Sequence, residues 1–150
     1  VQKLFLTFFY SGLCPIAPGT AGSALAAIFG YFVLLYFPPD TLFLLAILIS
    51  IIAIKEINKY EEKTNTHDDK SIVIDEVAGI WIAFAFTQGT LLELLIAFVF
   101  FRIYDIYKPS LIGKIDREYQ GGIGVMGDDI LAGFLAGIST LIVYSLYSNL

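Results

Sequence analysis

One cysteine and one histidine in 150 residues set the first limits on what this chain does. Cys14 has no second cysteine to pair with, so no intrachain disulfide framework exists. Its neighbours Leu13, Pro15 and Ile16 supply neither a base nor a cation, and it reads as a small apolar filler. With His67 as the only histidine, a phosphohistidine mechanism that needs a second histidine is excluded. No Cys-x5-Arg loop is present, which excludes a cysteine phosphatase, and no Asp-x-Asp-x-Thr/Val run supports an aspartyl-phosphate route. Charge is also scarce, at 15% of residues, and a net charge of −5 offers no basic surface for nucleic acid. The first residues lack a charged stretch followed by a small-residue cleavage site, so no secretory signal peptide is expected.

What the chain has in abundance is apolar surface. Hydrophobic residues make up 57% of it and the mean hydropathy is +0.78, a departure from soluble proteins toward membranes. Its length fits a single domain spanning residues 1–150. Residues 1–10 are apolar but too short to span, and predict an interfacial or buried helix. Residues 11–23 hold two prolines and three glycines and read as an irregular loop, with Thr20 or Ser23 capping the next helix. Hydrophobic segments follow at 21–37, 41–54, 72–87, 91–107 and 129–147, with polar loops at 64–71 and 108–127. The second continues as a charged helix through residues 55–63. The expected fold is an all-α, polytopic membrane bundle of four or five hydrophobic helices. Several segments fall short of the roughly 20 residues of a perpendicular span, which leaves the number of full crossings open.

Five alternating segments put all nine Lys and Arg residues on one side, which the positive-inside rule makes cytoplasmic. Apart from Asp40 and Glu93, the acids gather there too, as do both glycine-rich stretches, so this face is the working face. The most conspicuous acids are Asp128-Asp129, at the mouth of the last apolar segment, and Asp75-Glu76, in the first turn of the third. Adjacent carboxylates at a membrane edge repel and are costly to bury unless protonated or compensated by a cation. If the two segments are neighbours, four carboxylates converge at the interface, a donor set suited to Mg²⁺ shared with a phosphate. Acids placed only to favour a helix dipole are the plainer alternative, and for Asp68 and Asp69 it competes evenly.

Arg102, Asp105 and Lys108 lie along one helical line before Pro109. A salt bridge would account for them alone, but beside clustered acids an Arg fork and a Lys point charge suit a phosphoryl group. The stretch Ala17-Pro18-Gly19-Thr20-Ala21-Gly22-Ser23 offers glycine-flanked backbone N–H groups to an anion, though no Lys follows to make it a Walker A loop. His67 beside Asp68 is either a proton shuttle or simply a solvated loop residue, and Trp81 reads as packing. The chemistry left standing is metal-activated water attacking phosphorus.

Four blocks, taken together and in order, resemble the phosphatidylglycerophosphatase A family. They are Ala17-Pro18-Gly19-Thr20 with Gly22-Ser23; Ser71-Ile72-Val73-Ile74-Asp75-Glu76 with Gly79; Phe101-Arg102 through Asp105 with Lys108-Pro109; and Gly121-Gly122 through Met126 with Asp128-Asp129 and Ala132-Gly133. The resemblance covers nearly the whole chain. It implies a Mg²⁺-dependent lipid phosphatase of the bacterial inner membrane that converts phosphatidylglycerophosphate to phosphatidylglycerol and inorganic phosphate. It also implies metal-linked roles for Asp75, Glu76, Asp128 and Asp129, with Arg102, Asp105 and Lys108 near the phosphate and Asp68 in an approach loop. Thr20 and Ser23 are expected to assist in substrate binding. Two departures concern loop shape: Lys70 stands where a glycine is common, and Gly127 replaces a usual large apolar residue. Two other readings stay in view. An ion-coupled carrier subunit would need polar groups on both faces, and a phosphatidyltransferase would need Asp-x2-Asp-Gly-x2-Ala-Arg, which is missing.

Overall fold

The computed structural model describes residues 1–66, 69–109 and 111–149, without the side chain of Asp116. His67 and Asp68, both candidates from the sequence, lie outside the described residues. Every regular element among those described is helical: α1 (Gln2–Leu6), α2 (Pro18–Leu34), α3 (Asp40–Thr64), α4 (Ile74–Ala85), α5 (Leu91–Tyr107), α6 (Leu111–Glu118) and α7 (Gly121–Ser148), with a 3₁₀ turn at Ser11–Leu13.

The bundle is built around α4. Ten of its twelve residues are buried, on all sides, and it packs against α2, α3, α5 and α7. Its one indole is satisfied in place, Trp81 Nε1 donating to the Ala26 carbonyl of α2 at 2.9 Å. The surrounding helices bury a narrower stripe of mostly small residues, such as Ala46, Ser50 and Ala53 on α3 and Ala132, Gly133, Ala136 and Gly137 on α7. Their outward faces carry large apolar side chains, among them Phe32, Leu48, Leu95 and Leu141. By length and composition α7 is able to cross a membrane; α2 is apolar but shorter.

The closest approach in the core is between α4 and α7. A Cβ on Gly133 would strike the carbonyl of Gly79, and one on Gly79 would meet both the Asp129 carbonyl and the Phe101 ring. Backbone therefore lies directly on backbone at this crossing, as small residues permit. Asp75 precedes Gly79 by four residues and Asp129 precedes Gly133 by four, so each acid stands one turn from the contact on the same face.

Three expectations change. Helix α2 starts at Pro18, whose fixed φ suits the first helical position, so Thr20 and Ser23 lie within the helix instead of capping it. Residues 108–127 are not simply a loop: they contain α6, and α7 begins at Gly121. That start is anchored by Gly121 in the left-handed region (φ +69°) and by Gly122 N–H donating to Asn58 Oδ1 of α3 at 2.7 Å. Gly122 itself sits where any Cβ would meet the backbone of Ile54. Asp128-Asp129 is consequently about two turns inside α7 and not at its mouth. Finally, the first ten residues hold only the short α1, followed by Phe8, Phe9 and Tyr10, all at positive φ.

Candidate active site

The N-terminal ends of α2, α4 and α7 meet the C-terminal ends of α3 and α5 around a cavity of about 550 Å³. Pro18 and Gly19, Asp75 and Glu76, Asp105 and Lys108, and Asp128 and Asp129 line it, together with Glu61 of α3. The structure thus brings together the two acid pairs and the Asp105–Lys108 segment, which are far apart in the sequence.

Within this cavity one carboxylate oxygen each from Asp75, Glu76 and Asp129 lies within 4.8 Å of the others. Glu76 and Asp129 are buried, and Asp75 is partly so. Three of their oxygens, Asp75 Oδ1, Glu76 Oε2 and Asp129 Oδ2, are sealed from solvent without a hydrogen-bond partner. Leaving such atoms unpaired costs about 1–3 kcal/mol each, more when charged, and acids side by side also repel. A divalent cation with oxygen ligands removes both penalties, so the donor set fits Mg²⁺.

Asp128 and Asp129 do different things. Adjacent on α7, their side chains leave the helix axis about 100° apart, and here they part ways. Asp129 joins Asp75 and Glu76, whereas Asp128 accepts from Lys108 Nζ at 2.6 Å through Oδ2. The expected four-acid set is therefore a cluster of three plus one acid paired with a lysine. Lys108 reaches back into the cavity because it ends α5 in the left-handed conformation (φ 42°, ψ 58°).

Arg102 stands behind the cavity wall. Its Nη1 donates to Asp105 and to Ser23 Oγ (3.1 Å), and Nη2 donates to Thr20 Oγ1 (3.2 Å). Ser23 Oγ in turn donates to the Gly19 carbonyl at 2.7 Å. Thr20 and Ser23, singled out as substrate contacts, instead tie α2 to α5 through the guanidinium. Gly19 is pressed so near Glu76 Oε1 that a Cβ there would displace the carboxylate.

Several wall residues were absent from the sequence-derived set. Glu61 ends the buried stripe Ala53, Ile57, Glu61 at helical spacing, and a charge closing an apolar stripe was the available signal. Lys70, Tyr119 and Gln120 line the opening and carry no motif of their own. Asp69 fixes the turn that leads into α4, accepting from Ser71 N–H (2.9 Å) and Tyr60 OH (2.7 Å). The Ser71 N–H foremost, with the Tyr60 hydroxyl, holds its carboxyl below the usual range.

Comparison with known proteins bears on the same residues. The family model described as phosphatidylglycerophosphatase A matches residues 4–144. Over 133 residues the chain is 41% identical to phosphatidylglycerophosphatase A of Escherichia coli (strain K12), covering 87% of this chain and 76% of that protein. It is 34% identical over 131 residues to the Haemophilus influenzae protein of the same name, covering 87% and 80%. A protein of Bacteroides thetaiotaomicron, provisionally named phosphatidylinositol-3-phosphatase, is 38% identical over 135 residues, covering 85% and 83%. No solved structure matches. With a family match across nearly its full length and an acid cluster assembled from the family-like blocks, the chain belongs to the phosphatidylglycerophosphatase A family.

Proposed function

We propose that the chain removes the terminal phosphate of phosphatidylglycerophosphate, leaving phosphatidylglycerol and inorganic phosphate, and that it does so with Mg²⁺. The observation that carries this reading is a trio of carboxylates, each with a sealed, unpartnered oxygen, in the wall of a cavity that also presents Lys108. Asp75, Glu76 and Asp129 would hold the cation, which when bound supplies Lewis acidity toward the phosphoryl oxygens. Lys108, oriented by Asp128, faces the negative charge of the phosphomonoester. Asp105 lines the cavity and is held by Arg102, in position to orient a water and accept its proton as the water oxygen attacks phosphorus. The bond to the glycerol oxygen then breaks, and that oxygen leaves as the alcohol of phosphatidylglycerol by taking a proton from solvent, to which Asp105 returns the one it accepted. Arg102 acts here as a positioning residue, locking Asp105 and the first turns of α2.

The same reading places the protein in the bacterial cytoplasmic membrane as a multi-pass bundle with the cavity on the cytoplasmic side. The apolar outer faces of α2, α3, α5 and α7 support it, since exposed patches of this extent call for lipid. Helix α4, at twelve residues and buried on all sides, would rise about 18 Å and face no lipid. Four lipid-facing helices around one enclosed helix is the topology we favour.

Phosphate release in reconstituted membranes tests the function. Cation-dependent release from phosphatidylglycerophosphate is expected, with slower release from phosphatidylinositol 3-phosphate. No release from the former in the presence of Mg²⁺ would sink the assignment, and a reversed preference would move it to the inositol lipid.

A further inference from the structure

The cavity is larger than a phosphate alone requires; about 550 Å³ falls in the range of roughly 300–1,000 Å³ that encloses a drug-sized ligand. The acid trio occupies one part of it, and the remainder opens past Lys70, Tyr119 and Gln120. Of the cations that bear on this region, Arg102 is engaged by Asp105, Thr20 and Ser23, and Lys108 by Asp128. Lys70 is different. It is exposed, lines the cavity, and forms no hydrogen bond or ion pair among the described residues.

The backbone that carries Lys70 is nevertheless fixed. Both oxygens of the adjacent Asp69 are occupied, by Ser71 N–H and Tyr60 OH, so that carboxylate is not turned toward the lysine. Ile72 N–H donates to the Asp69 carbonyl and Val73 N–H to the Leu6 carbonyl, both at 2.9 Å. On the other flank, Gly12 lies so near the Ser71 carbonyl that it leaves no room for a side chain. The pinned turn fixes where the Lys70 stem begins, at the wall of the acid-lined cavity, and leaves its ammonium available to an anionic group of a bound substrate.

We infer that Lys70 is a specificity-determining residue that reads a second anionic group of the substrate, the phosphodiester one glycerol unit away from the phosphate being removed. The inference rests on the proposed lipid substrate, which carries both a monoester and a diester phosphate. Lys70 contributes to holding the headgroup and takes no part in the bond-breaking step, so its loss appears in KM and not in kcat.

Phosphate release from phosphatidylglycerophosphate in mixed micelles is compared for the wild type, Lys70→Gln and Lys70→Arg, with the two products as competing inhibitors. Phosphatidylglycerol carries only the diester, and inorganic phosphate stands only for the monoester. Lys70→Gln is expected to raise KM about fivefold with kcat held, the scale of one solvent-facing charge contact. It should weaken inhibition by phosphatidylglycerol to a similar degree while inhibition by inorganic phosphate stays at the wild-type level. Lys70→Arg should restore both. An unchanged KM, a loss carried by kcat, or equal weakening of both inhibitors overturns the inference. Failure of the wild type itself to release phosphate from this lipid would overturn the parent reading instead.

Discussion

Two buried acidic sites at opposite ends of the bundle differ in how the protein satisfies their carboxylates. Glu93, in the first turn of α5, is 2% exposed, yet its Oε2 accepts from Gln88 N–H, Thr90 N–H and the Thr90 hydroxyl. The Thr90 hydroxyl in turn accepts from Glu93 N–H, completing a capping box. Asp129 is equally buried at 2%, but its Oδ2 has no partner and two further acids crowd it. Burial is the same; satisfaction is not. A buried carboxylate supplied with donors is explained by the fold, whereas one left unpartnered is the kind for which a cation is proposed.

The comparison breaks first at Asp129. Asp129→Asn is expected to cut phosphate release by about 10²–10³-fold, on the scale of losing one preorganised electrostatic contact to the reacting group. Mg²⁺ is expected to raise the thermal midpoint of the wild type, because a ligand that binds only the native state stabilises it, and this rise should vanish in the same variant. A wild-type midpoint indifferent to Mg²⁺ would count against the acid trio as a cation site.

A smaller effect is expected one step away from the acids. Gly19→Ala places a methyl group against Glu76 Oε1, the free end of a flexible side chain, so the helix tolerates it while the carboxylate shifts. Activity should fall about tenfold with the unfolding midpoint nearly unchanged, since misplacement of a reacting group by a fraction of an ångström is costly. Comparable losses of stability and activity would show that Gly19 serves packing alone.

The smallest effect sharpens the other side of the contrast. Glu93→Gln should destabilise the fold by about 1 kcal/mol, the scale of a lost helix cap, while kcat/KM stays within about twofold. A large loss of activity would mean that the two ends are coupled.

How legible these sites were depended on what fixed each element. The bounds of helix α5 were readable: the apolar segment expected at 91–107 before Pro109 is the helix Leu91–Tyr107, whereas its Thr90–Glu93 capping box emerged only from the structure. The first turn of α4 with Asp75-Glu76 was equally plain, and so was the gathering of charge at one end. The start of α7 was hidden, because a run holding Gly121, Gly122, Gly124 and Gly127 reads as a loop on intrinsic propensity. In the folded chain these glycines allow the close approach of Ile54, Asn58 and Tyr119, contacts that lie outside the run itself. The division of labour between Asp128 and Asp129 depends on that start, since it sets which face each presents. Arg102 was found together with its Asp105 partner, but its bonds to Thr20 and Ser23 were not, because those residues lie about eighty positions upstream and look like a phosphate loop in isolation.

The bare crossing of Gly79 and Gly133 has a consequence beyond packing. Asp75 and Asp129 are carried by separate helices, and what fixes the gap between them is the thickness of whatever lies between those helices one turn away. Here that thickness is zero. The crossing behaves as a calliper closed to its stop, gauging the jaws of the acid trio to a setting that no wider residue pair can reproduce. A methyl group at either position would open the jaws without altering a single charge, so the bite on the proposed cation would be set by two residues that have no chemistry of their own.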